Sequence, residues 1–102
     1  MRYSIQNDPE MLRVTMEGPF TFMDARAFRL MVNSFETCLA EAEIRINMKR
    51  LESIDAMALG LLLIAFDAAK KNHRSLVFEE PQGQVHEALS QAALHNALAI
   101  SA

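Results

Sequence analysis

The sequence has a single cysteine, Cys38. One thiol forms no internal disulfide and no zinc site of the Cys-x-x-Cys kind, which is compatible with a reducing cytoplasm. Its three glycines, Gly18, Gly60 and Gly83, lie far apart, so there is no glycine-rich phosphate loop. The histidines His73, His86 and His95 have no ligand spacing. His86-Glu87 is followed by Ala88, Leu89 and Ser90, so the second histidine of a zinc-hydrolase motif is missing. Net charge is −3, from 10 basic and 13 acidic residues, with no basic block. Duplex binding rests largely on clustered Lys and Arg, which argues against nucleic acid as the main ligand. No apolar run reaches the roughly 20 residues of a membrane span, and even the stretch from Ala56 to Ala69 is broken by Asp67. The start, Met1-Arg2-Tyr3-Ser4-Ile5, is not followed by a signal-peptide core. The expectation is a cytoplasmic protein without metal, cofactor or membrane insertion.

What is present is apolar. Such residues make up 51% of 102, which suits one folded domain over 1–102. Tyr3 to Gln6 alternates weakly, Asn7-Asp8-Pro9-Glu10 is turn chemistry, and Met11 to Glu17 alternates well. Leu12, Val14 and Met16 share one face, Arg13, Thr15 and Glu17 the other. The two runs predict a hairpin that Gly18-Pro19 ends. Phe20-Thr21-Phe22-Met23 reads as an apolar loop, with Asp24 or Thr21 as cap for a helix from about Asp24 to Ala40, whose stripe is Phe28, Met31, Val32, Phe35 and Leu39. Ile44, Ile46 and Met48 mark a third strand, and Arg50-Leu51-Glu52-Ser53 a lead-in turn.

The longest apolar run follows, Ile54-Asp55-Ala56-Met57-Ala58-Leu59-Gly60-Leu61-Leu62-Leu63-Ile64. Asp55 is a good N-cap, and Lys70 and Lys71 suit the negative end of the helix dipole, so a helix is expected over Ala56–Lys71. Leu59, Leu62, Leu63 and Phe66 form one face, and Leu61, Ile64, Ala65 and Ala68 widen it nearly all round, the pattern of a helix buried on more than one side. Asn72 is a candidate left-handed cap. Leu76 to Phe78 is a short strand, Gln82 to Ala92 a helix with Val85, Leu89 and Ala92 inward, and Leu94 to Ile100 a last turn, a short edge strand, or both. Strands alternating with helices of this length imply an α/β fold with a mixed, mainly parallel sheet of about four or five strands and three or four helices. Of the methionines, Met16, Met31 and Met48 fall on core faces. Met23 and Met57 fall beside a strand's carboxyl end, where such folds place their sites, and are either packed at the core rim or part of a site.

Ile54-Asp55-x-x-Ala58-Leu59-Gly60-Leu61-Leu62-Leu63 resembles the signature of the STAS domain, the domain of sulphate transporters and anti-sigma-factor antagonists. Gly18-Pro19-Phe20-Thr21-Phe22 ahead of Ala27-Phe28, Pro81-Gln82-Gly83-Gln84-Val85, and Ala93 to Ile100 resemble the bacterial anti-sigma-antagonist branch, in the same order. The resemblance covers nearly the whole chain. It implies a non-catalytic, cytoplasmic protein-binding module of bacterial signal transduction and transcription regulation. In that branch a serine at the start of the central helix is phosphorylated by a kinase-type anti-sigma factor, and the unphosphorylated form binds that partner. A helix N-terminus accepts phosphate well, and about two negative charges on a small apolar surface expel a partner.

The two positions after Asp55, where the family's serines stand, are Ala56 and Met57, and neither accepts phosphate. Ser53 is the nearest hydroxyl, read as an ordinary turn serine rather than a substitute phosphosite. The expected docking surface is Asp55, Ala56, Met57, Ala58, Leu59 and Gly60 with Phe22 and Met23, facing an anti-sigma factor or GHKL-type regulatory kinase. The alternative is a permanently docked subunit of a larger assembly, on the ATPase of a lipid-transporting ABC complex or on a signalling scaffold. No acid–base or nucleophilic set is visible, so no enzyme is expected.

Overall fold

The computed structural model describes residues 1–7, 10–37, 43–91 and 99–101. The hairpin is present: β1, Arg2–Asn7, runs antiparallel to β2, Met11–Phe20. A 3-10 turn, Phe22–Asp24, leads to α1, Ala25–Asn33, and a second 3-10 turn, Ser34–Thr37, follows it. Then come β3, Glu43–Ile54, α2, Ala56–Lys71, β4, Leu76–Glu79, α3, Gly83–Gln91, and β5, Ala99–Ser101. The five strands form one sheet in chain order, and every neighbouring pair after the hairpin is parallel. The fold class is therefore the expected α/β, with the tail's strand at the sheet edge. Cys38, Leu39, Ala92 and His95 lie outside the described residues.

Parallel strands laid down in chain order, joined by right-handed crossovers, place all three helices on one side of the sheet. Burial follows that geometry. Leu12, Val14, Met16, Ile44, Ile46, Met48, Leu76 and Phe78 point under the helices and are buried, together with Phe28, Met31, Val32 and Phe35 from the α1 region and Val85 and Leu89 from α3. The rings of Phe20 and Phe28 stack with centroids 5.1 Å apart at 33°. Each such side chain contributes about 1.5–3 kcal/mol by leaving water. The other side of the sheet carries Arg13, Thr15, Arg45, Asn47 and Glu79, none of them buried. Arg13 and Arg45 face each other in register, and Glu79 lies between them, 2.9 Å from Arg45 and 3.9 Å from Arg13. The hydrogen bond to Glu79 and the charge of Glu43 hold the Arg45 guanidinium above its ordinary pKa.

The strands run further than the sequence indicates. β2 passes through Gly18-Pro19 and ends on buried Phe20, and β3 continues through Arg50-Leu51-Glu52-Ser53 to Ile54, so that Ser53 is a strand residue paired with Pro19 and not part of a turn. Proline is tolerated because β1 pairs with β2 only as far as Glu17, leaving one side of Pro19 unpaired. Two register shifts, at Thr15/Glu17 and Gly18/Pro19, each set one extra β3 residue against β2, and Gly18 has a φ of 85°, in the region that favours glycine. The first helix is shorter than expected, since regular α geometry ends at Asn33. At the end of α2 the left-handed residue is His73, with φ 56°, while Asn72 has φ −93°. His73 N–H donates to Lys70 O and Arg74 N–H to Ala69 O, the paired bonds of a Schellman cap. The Asn72 amide instead donates back to Ala68 O at 2.8 Å.

The buried face of α2 is Ala58, Leu61, Leu62, Ala65 and Ala69. Leu63 and Ile64 are exposed, so the helix is buried on one side rather than on several. Three alanines among five inward residues keep the helix close to the sheet and turn the large side chains of 63 and 64 outward.

Candidate docking surface

The carboxyl ends of β2 and β3 lie side by side, Phe20 opposite Ile54, and each strand hands the chain to a helical turn. Asp55 N–H donates to Phe20 O at 3.2 Å, tying the two exits together. The Asp55 carboxylate then bridges them. One oxygen, Oδ1, accepts from Ala58 N–H at 2.8 Å and caps α2, and the other, Oδ2, accepts from Phe22 N–H at 3.1 Å. Asp55 is thus the predicted cap and also the anchor of a turn 33 residues earlier. Thr21 is the other cap: its hydroxyl accepts from Met23 N–H at 3.3 Å, and Asp24 accepts from Thr21 N–H at 2.9 Å, a reciprocal capping box. The Asp24 side chain makes no cap bond to α1 itself.

On this frame stand the apolar side chains. Met57 is 67% exposed, Met23 80% and Phe22 59%. None is at the core rim. Ala56 and Gly60 are exposed beside them, and Leu59 is half-buried against the core. Ala58 is fully buried and presents nothing to a partner, because the 3.6-residue period of the helix turns it onto the sheet. Phe20, the first residue of the expected loop, is likewise buried at the end of β2.

Gln84 supports the site from behind, and sequence reasoning gave it no role. β4 stops pairing with β3 at Asn47↔Glu79, so the last residues of β3 lack a strand on that side. The Gln84 side chain takes a strand's place. Its Oε1 accepts from Ile54 N–H at 2.8 Å and its Nε2 donates to Ile54 O at 3.1 Å. Both backbone groups of the residue before Asp55 are thereby satisfied. The signal in the sequence is the mismatch between a 12-residue strand and a 4-residue neighbour, visible only once β3 is known to be long.

No group of three or more His, Cys, Asp and Glu residues is arranged to hold a metal among the described residues, and no described helix is long and apolar enough to cross a membrane. His73 and His86 are surface residues.

The family model for the STAS domain matches residues 2–102, and the chain belongs to that family. No curated protein matches the sequence. Solved structures that share the fold include the following three. A Thermotoga maritima protein named as a candidate anti-sigma factor antagonist is 16% identical, with a TM-score of 0.83 over 96% of this chain and 84% of its own. The anti-sigma factor antagonist SpoIIAA in its unphosphorylated form is 12% identical, with a TM-score of 0.78 over 99% and 89%. SpoIIAA in the phosphorylated form, a Bacillus cell fate determinant, is 13% identical, with a TM-score of 0.72 over 99% and 92%.

Proposed function

We propose that this protein is a non-catalytic regulatory module that binds a protein partner through the first turn of α2 and the turn at Phe22–Asp24, and that this binding is not switched by phosphorylation at the family's usual position. The observation that carries the reading is Met57, standing 67% exposed beside Phe22 and Met23 at one of the two positions, Ala56 and Met57, where the family's serines would stand. A long, unbranched thioether adapts to an apolar partner surface. A carboxylate or phosphate there would oppose it. The partner that fits the family is an anti-sigma factor or a GHKL-type regulatory kinase.

Two experiments test this. Met57→Glu, at an exposed position, leaves the fold intact and weakens the partner by about 1–2 kcal/mol, the scale of a charge placed in an apolar interface. Unchanged affinity by calorimetry would remove Met57 from the interface. Incubation with a cognate kinase and ATP should leave the peptide spanning 56–60 without a phosphate mass shift, and label there would end the proposal of an unswitched site.

The lack of a hydroxyl at 56 and 57 also favours a second reading, a permanently docked subunit on an ABC-transporter ATPase or a signalling scaffold. A pull-down from the native cell extract, read by mass spectrometry, separates the two by the partner recovered.

A further inference from the structure

The exposed surface does not stop at the first turn of α2. Met57, Gly60 and Ile64 follow at i, i+3 and i+7, one ridge along the outside of α2. Ile64 is 40% exposed and reaches α1, where it closes a hollow of about 420 Å³ with Arg29, Val32 and Asn33. A second hollow of about 440 Å³ lies further along α2, lined by Ile64, Asp67, Ala68, Lys71 and Asn72. Between the two helices there is thus a groove at Val32 and Ile64, flanked by Arg29 and Asn33. Gly60 lies one turn before Ile64 on the same α2 ridge, and a β-carbon added there would meet nothing within 4 Å.

The charge of the α1 wall is one-sided. α1 reads Ala-Arg-Ala-Phe-Arg-Leu-Met-Val-Asn, with two arginines and no acid, in a chain whose net charge is −3. Arg26 and Arg29 are exposed, and neither is ion-paired with a described residue. A second copy of the same face would bring two more arginines and no α1 acid to the contact, which disfavours self-association. An acidic partner would not meet that repulsion.

We propose that the α1–α2 groove seats an amphipathic helix of the partner with an acidic flank. Its apolar stripe lies on Ile64 and Met57, its closest approach is at Gly60, and its acids face Arg29 and Arg26. This rests on the reading of the α2 turn as a docking site and names the chemistry of what docks. The helix-in-groove mode reads a partner through anchors at i, i+3 or i+4, and i+7.

The probe is a fluorescein-labelled, hydrocarbon-stapled peptide as long as the 16-residue α2, with leucines at i, i+3 and i+7 flanked by glutamates. A matched peptide has lysines for glutamates. Anisotropy titrations against the full chain should show the acidic peptide binding, more weakly as salt rises, and the lysine peptide failing to bind. Arg29→Glu should weaken the acidic peptide at least tenfold and let the lysine peptide bind. Ile64→Asp should weaken both pairings. Both residues are exposed, and circular dichroism checks that the variants fold. Equal binding of the two peptides, no saturable binding of either, indifference to Arg29→Glu, or a dimer by sedimentation that Ile64→Asp breaks would each overturn the proposal. Loss on Met57→Glu with indifference to Arg29→Glu and Ile64→Asp refutes the groove and leaves the docking turn standing. The reverse pattern refutes the docking turn, removes Met57 from the contact and leaves only the groove beside Ile64 and Arg29.

Discussion

Gly60→Ala should change stability and binding in opposite directions. Gly60 is the fifth residue of a 16-residue helix, it is exposed, and its φ is not in the left-handed region. A β-carbon there would touch no other part of the molecule. Nothing in the free fold therefore requires glycine, and the only remaining term is backbone freedom. Glycine in a helix interior costs about 0.8–1.0 kcal/mol relative to alanine. The variant should be more stable by roughly that amount, which raises Tm by about 3–8 °C in a domain of this length. The same methyl group stands on the α2 ridge between Met57 and Ile64, where it would hold a docked helix away. Affinity for the partner, or for the acidic peptide, should fall. Urea unfolding of the free variant and an anisotropy titration read the two effects separately. Lower stability would mean that the glycine serves the fold after all. Higher stability with unchanged affinity would mean that nothing approaches closely at this point.

The remaining predictions concern the frame. Asp55→Ala removes both the α2 cap and the bond to Phe22 N–H, and should cost about 1–3 kcal/mol in urea unfolding; Asp55→Asn, with one carbonyl oxygen in place of two, should fall between. Gln84→Ala deletes two bonds to the Ile54 backbone and should cost about 1–2 kcal/mol. If that variant is as stable as the parent, the clamp contributes nothing. Phe22→Ala, at a side chain 59% exposed, should leave stability within about 0.5 kcal/mol and weaken the partner, and the opposite pattern would make Phe22 a fold residue.

The limits of α2 were legible because both ends carry strong local chemistry, Asp55 before it and Lys70-Lys71 in its last turn. Its buried side was not. A helix that is apolar nearly all round has no stripe to read, so the phase was set by how closely Ala58, Ala65 and Ala69 let it approach the sheet. The end of β3 was hidden by its own bulge. Alternation holds from Ile44 to Met48 and then breaks, the next buried residues, Leu51 and Ile54, each following three positions on. A period of two shifted by one residue looks like a turn. Gly18-Pro19 misled for a related reason, because a proline is compatible with a strand once one of its neighbours has run out. At the site, the spacing of Asp55 and Met57 was readable, but the burial of Ala58 and the clamp by Gln84 depend on tertiary packing.

The Asp55 carboxylate has a kinetic consequence. Its two oxygens each hold one amide, on segments 33 residues apart in the sequence, so fraying of either turn disturbs the acceptor of the other. The amides of Phe22 and Ala58 should therefore exchange with deuterium as a pair, with one common opening free energy, and Asp55→Ala should split them into two independent rates. A partner that grips either turn then slows exchange in both.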